Sequence, residues 1–201
     1  MCDFSTVAGL FTGASVAITA ACVLIATAVV LNAGIFTSGG SPALMLAAAA
    51  SCAVACGLVA GAYAAAEDFF NCAASTYPGV SRCTLIGSFK TDLQSLSFTL
   101  GGLTVACAAT AAGAWIPGLG AIGMIAVSAG LVTLLGFIAK MIQDFNNVAA
   151  CVNAAAGSPL IPGWFIYVLA VLVGVVALTT AWVWFKALPA WWKMIFPSPT
   201  H

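Results

Sequence analysis

Between its turn residues this chain carries apolar runs that repeatedly exceed the roughly 18 residues from which a membrane span is read. In hydrocarbon every backbone N–H and C=O must be paired inside the protein, and a run of that length meets the demand as a helix. Composition points the same way. At 63% hydrophobic, 5% charged and a mean hydropathy of +1.16, the sequence has too little polar surface to cover a water-soluble globule. The expected fold class is all-α, a polytopic transmembrane helical bundle of about five spans, arranged as two tandem helical hairpins plus a C-terminal helix within one membrane domain over residues 1–201.

The first hairpin is expected over residues 5–75. Ser5 is positioned to cap a helix of about Thr6 to Ala33, and Thr37-Ser38-Gly39-Gly40-Ser41-Pro42 reads as a turn, with Ser41 as the next N-cap and Pro42 at the first helical position. The second helix then reaches about Asn71. Residues 76–90 form an outer connection with Tyr77-Pro78-Gly79 as its turn, and Thr91-Asp92-Leu93-Gln94 reads as a capping box that opens the second hairpin, 91–157, near Asp92. Trp115-Ile116-Pro117-Gly118 reverses the chain into a fourth helix of about Leu119 toward Cys151. Ser158-Pro159-Leu160-Ile161-Pro162 breaks that helix, and the C-terminal span and interfacial tail take up 158–201. The span is expected from about Gly163 to Ala187, and beyond Pro189 the segment Ala190–Phe196 reads as interfacial. Met1-Cys2-Asp3 lacks a basic n-region, so the first span is expected to act as an uncleaved insertion signal.

Two patterns run through these helices. Small residues recur four apart at Gly9 and Gly13 and along Cys52–Gly61, as suits helices that approach closely where lipid supplies no hydrophobic drive. Glu67-Asp68-Phe69-Phe70-Asn71 returns as Gln143-Asp144-Phe145-Asn146-Asn147 at the end of the second hairpin, with Asp, Phe and Asn at matching offsets. Duplication of one hairpin and chance both account for the match. With five spans the two hairpins point the same way, so any pseudo-symmetry axis runs along the membrane normal.

Polar residues suggest the orientation. Asp3, Glu67, Asp68, Asp92 and Asp144 fall at or near the end that holds the N-terminus, while Lys186, Lys193, Trp115, Trp182, Trp184, Trp191 and Trp192 gather at the other. The count of Lys and Arg on the two sides is nearly tied. Cys2, Cys72, Cys83 and Cys151 also share the N-terminal side, outside spans or at their ends, which suits disulfides in an oxidising compartment. The expectation is a plasma or inner membrane protein with the N-terminus outside and the C-terminus cytoplasmic. Four cysteines allow three pairings, of which Cys72 with Cys83 closes the shortest loop.

Cys22, Cys52, Cys56 and Cys107 fall inside spans. Cys52 and Cys56 share a helical face, but no histidine or midplane carboxylate accompanies them, so packing is favoured over a soft-metal site and neither metal nor cofactor is expected. Glu67, Asp68, Lys140 and Asp144 matter more, because charge near hydrocarbon is costly. Lys140 and Asp144 are one helical turn apart and can pair, with Glu67 or Asp68 as cross-bundle alternatives for Lys140. These residues form either a structural ion pair or an acidic mouth that concentrates cations. Thr19, Thr27, Thr104, Thr110, Ser128 and Thr133 are scattered and can return their hydroxyls to their own helices.

No nucleophile–base pair or phosphate loop stands out, and the sole histidine is His201. The expected function is non-enzymatic, a structural or accessory subunit of a larger membrane assembly, with a small cation channel or transporter as the alternative. Expected partners are the lipid bilayer and a second copy or other integral membrane proteins; zero net charge argues against nucleic acid. Mass mapping without reduction should find disulfides among Cys2, Cys72, Cys83 and Cys151 and none involving Cys22, Cys52, Cys56 or Cys107. Four free thiols at the outer positions, or labelling of them only from the cytoplasm, would overturn the orientation.

Overall fold

A computed structural model describes residues 2–32, 40–113 and 119–195. Its elements are α1 (Ser5–Asn32), α2 (Gly40–Thr76), a short 3-10 helix (Pro78–Arg82), α3 (Ile86–Gly113), α4 (Leu119–Ala156) and α5 (Phe165–Ile195). All five α-helices are long and apolar enough to cross a bilayer, so the chain is a multi-pass integral membrane protein with a helical-bundle fold. Neighbours run α1–α2–α3–α4–α5, and α5 packs back on α1 to close the ring.

Each helix turns a seam of buried residues, spaced three then four apart, toward this ring. In α1 the seam alternates Phe4, Phe11, Ile18 and Ile25 with Val7, Ala14, Ala21 and Ala28. In α4 it runs Val127, Leu131, Leu134, Ile138, Met141, Phe145, Val148 and Val152. A seven-residue period keeps one stripe facing the partner helix along its whole length, as in left-handed bundles. Large beside small side chains let neighbouring seams interdigitate.

Several boundaries differ from those the sequence suggests. Ser5 does not cap α1. Asp3 does, accepting from the Ser5 N–H at 2.8 Å and the Ser5 hydroxyl at 2.6 Å, contacts that hold its carboxyl below the usual carboxylate range. The backbone of α2 is already helical at Gly40, ahead of the expected Ser41 cap, and α2 ends at Thr76 rather than Asn71. The capping box at Thr91 does not form, because α3 begins earlier, at Ile86. Thr91 therefore lies inside the helix and donates to the Gly87 carbonyl. The connection between hairpins shrinks accordingly, and Pro78 opens a 3-10 turn within it. α4 runs to Ala156, and Gly157 follows at φ +65, the left-handed conformation that commonly ends a helix. α5 continues past Pro189 to Ile195 instead of stopping for a separate interfacial segment, since a membrane helix can absorb the one missing donor. Of the turn expected over 37–42, residues 37–39 lie outside the described residues and 40–42 are already in α2; the reversal expected at 115–118 lies outside them as well.

α2 and α4, of 37 and 38 residues, are each about 55 Å long at 1.5 Å per residue, far more than a hydrocarbon core of roughly 30 Å requires. Their C-terminal portions meet the start of α1 and the connection before α3, building a cap at the cysteine-bearing end.

The small-residue stripes of α1 and α2 do not bring backbone against backbone. Leu58 covers Gly13, 3.3 Å from where a Cβ would stand, and Leu10 covers Gly61 at 3.5 Å, while Gly9 and Gly57 face open space. The tight approach is between α3 and α4. A Cβ on Gly123 would stand 2.9 Å from the Thr110 Cα, and one on Gly130 would stand 2.6 Å from Leu103 Cδ2. Gly123→Ala should therefore cost about 1–3 kcal/mol in detergent unfolding, as overpacking does. Gly57→Ala, with free space and better helix propensity, should be neutral or stabilising by up to about 1 kcal/mol. Equal effects at the two positions would refute a backbone-level contact between α3 and α4.

Candidate functional site

Covalent and aromatic contacts converge at the cysteine-bearing end. Cys2 is bonded to Cys72 and Cys83 to Cys151, spanning 70 and 68 residues. Each bond ties a cysteine three residues ahead of a hairpin's first helix to one near the end of its second helix, so both hairpins are clasped by the same device. The short Cys72–Cys83 loop is not used. Long loops limit the unfolded chain most, and on chain-entropy grounds each bond contributes on the order of 4 kcal/mol. Beneath the clasps Phe4 sits edge-on to Phe69 at 5.1 Å and to Phe165 at 5.6 Å, and Phe145 lies 4.7 Å from Phe165 and 5.8 Å from Phe89. Phe11 extends the cluster below Phe165. Phenylalanines from α1, α2, α3, α4 and α5 thus fill the centre of the ring at this end.

Charge is arranged beside this cluster. Lys140 Nζ lies 3.0 Å from Asp144 Oδ2 on its own helix and 2.6 Å from Asp92 Oδ1 on α3. Neither Glu67 nor Asp68 joins it. Glu67 instead pairs with Lys90 at 2.9 Å, tying α2 to α3, and Asp68 is exposed. The two copies of the Asp-Phe motif therefore share the phenylalanine role, with Phe69 and Phe145 both in the cluster, but not the carboxylate role. Ser88 donates to Asp144 and accepts from Lys140 at 3.3 Å. Exposure falls inward through the group, from 51% for the Lys140 side chain to 15% for Asp144 and 4% for Asp92. Asp92 Oδ2 is buried without a hydrogen-bond partner.

Asp92 is the residue that the sequence reading undervalued, as one of several edge acids. The signal was present: it stands beside Leu93 on the buried seam of α3, between Phe89 and Leu96, where a charge demands a partner. Its partner lies 48 positions away, and no local pattern could name it.

Deeper in the bundle the thiols are met mostly by packing. Cys52 contacts Cys107, with Cys22 and Thr179 nearby, and Cys56 exchanges contacts with Ser97, its Sγ 3.3 Å from the Ser97 carbonyl and its own carbonyl 3.3 Å from the Ser97 hydroxyl. Among the described residues no three of His, Cys, Asp or Glu are placed to hold a metal ion. The hydroxyls of Thr19, Thr27, Thr104, Thr110, Ser128 and Thr133 all return to carbonyls four residues back on their own helices.

No protein-family model matches the chain, and no curated protein or solved structure is significantly similar to it.

The geometry ranks the charged residues by consequence. Lys140→Met strands Asp92 and should cost about 2 kcal/mol, below the roughly 3–5 kcal/mol of a fully buried pair because Lys140 is half exposed. Adding Asp92→Asn should recover most of that loss. Asp144→Asn alone should cost about 1 kcal/mol or less, since Lys140 keeps its hold on Asp92. Thermal unfolding of the four proteins in one detergent measures all three terms, and a Lys140→Met loss that Asp92→Asn leaves unrepaired would count against their coupling.

Proposed function

We propose that this protein is a non-enzymatic structural or accessory subunit of a larger membrane assembly, docking through its cysteine-bearing cap. The observation that carries this reading is the phenylalanine cluster beneath two disulfides, which makes that end of the bundle a braced, filled platform rather than an opening. Helices α2 and α4 are each longer than a bilayer core requires, and on this reading the excess lies at that end, within reach of another protein. Rigidity favours such a role, because a surface held in its bound shape loses little freedom when a partner arrives. The hydroxyls of Thr19, Thr27, Thr104, Thr110, Ser128 and Thr133 serve their own helices, so they supply no polar path through the ring. The clasped hairpins also fit duplication of one ancestral hairpin. On this reading the cap faces the oxidising side and the C-terminus the cytoplasm, and the partner is a second copy or another integral membrane protein.

One observation favours a second reading, a small cation channel or transporter. Asp92, Asp144 and Lys140 form a graded charged group within the candidate spans, where ionisable residues often mark an ion pathway.

The two readings separate in one preparation. Gentle detergent extraction followed by mass spectrometry should recover a defined companion in constant ratio, or a stable homo-oligomer, and reconstituted liposomes should stay tight to sodium and potassium. Liposomes that leak cations, with leakage altered by Asp144→Asn, would overturn the accessory role in favour of conduction.

A further inference from the structure

The charged group carries a formal imbalance that its geometry makes specific. Asp92 and Asp144 bring two negative charges and Lys140 one positive charge, leaving a deficit of one cation. The deficit falls on Asp92. Lys140 serves its Oδ1 at 2.6 Å, while Oδ2 is buried and meets no donor on a side chain that is only 4% exposed. A buried carboxylate oxygen left without a partner is strongly unfavourable, and native proteins nearly always supply one. Asp144 meets the Asp92 carboxylate, and Ser88 shares both Asp144 and Lys140 with it, so further oxygens belong to the same group. Hard oxygen donors suit a hard cation, whereas the soft thiols at mid-bundle lie elsewhere.

We propose that Asp92, with Asp144 and Ser88, binds a small hard monovalent cation of the sodium or lithium class at the unpartnered Asp92 oxygen, opposite the Lys140 ammonium. One positive charge neutralises the group while Lys140 stays in place. Lys140 limits affinity by repulsion and also keeps the empty site from carrying two uncompensated carboxylates. The inference is independent of the accessory role, because a bound ion braces α3 against α4 in a scaffold as readily as it would occupy a pathway.

Purified full-length protein in detergent is unfolded thermally in sodium, lithium, potassium or choline chloride at equal ionic strength and fixed pH. Sodium or lithium should raise Tm over choline, by roughly 4 °C for each tenfold increase above the Kd, because a ligand of the folded state alone stabilises it by mass action. Potassium should do less. Lys140→Met should start less stable than wild type and gain more from sodium, since the competing ammonium is gone. Asp92→Asn and the Asp92→Asn/Lys140→Met double variant should lose the difference between sodium and choline. The proposal fails if wild type and Lys140→Met unfold at the same temperature in all four salts, or if the sodium effect persists without the Asp92 carboxylate. It fails equally if stability follows pH but not the cation, since a proton would then occupy the site. Should Asp92→Asn not fold, the wild-type and Lys140→Met comparison decides the matter alone.

Discussion

Helices in lipid gain nothing from hiding apolar surface from one another, so this bundle depends on how closely its side chains interlock. The seven-residue seams answer that constraint. Large residues of α1 alternate with alanines, and Leu58 and Leu10 settle over Gly13 and Gly61 on the facing helices. Contact of this kind adds many small dispersion terms, each sensitive to a few tenths of an ångström. The most demanding point is where α4 meets α3 at Gly123, since there the Thr110 hydroxyl and the Thr110 Cα both stand in the way, and the backbone atom cannot swing aside.

Outside the hydrocarbon the physics changes, and so do the devices. α2 and α4 are longer than the membrane is thick, and their ends would fray unless tied. Two disulfides attach them to the start of α1 and to the connection before α3, and phenylalanines from all five helices fill the space below. Edge-to-face aromatic contacts add there to the dispersion that holds the seams. Ion pairs tie neighbouring helices as well. Lys90–Glu67 ties α2 to α3, and Lys140–Asp92 ties α3 to α4, so these charges are paired where they occur within the spans.

Asp92 departs from this pattern. It takes a seam position that its neighbours fill with Phe and Leu, and it leaves one oxygen unanswered. A purely structural bundle would be expected to place a hydrocarbon side chain there, since replacing buried ion pairs with apolar residues is often neutral or stabilising. The cost of keeping a carboxylate at this position is what gives the charged group its functional interest.

The sequence by itself determined the class, the number of spans and their order, because bilayer thickness converts apolar run length into helices with little dependence on anything else. It also determined the Lys140–Asp144 pair and the return of hydroxyls such as Thr104 and Ser128 to their own carbonyls, since both are relations within one turn of one helix. The seven-residue seam through Phe4, Phe11, Ile18 and Ile25 emerged from burial, since in helices apolar on every side no polar face sets it off. The Asp3 cap and the start of α3 at Ile86 were less legible, because Ser5 and Thr91 are equally good caps when each is read alone. Tertiary structure alone decided which cysteines join, that Lys140 reaches Asp92 rather than Glu67, and that Gly123 rather than Gly9 must remain glycine. Each of these depends on the register between helices distant in the chain, which is set by the fit of whole seams and leaves no mark on any short stretch of sequence.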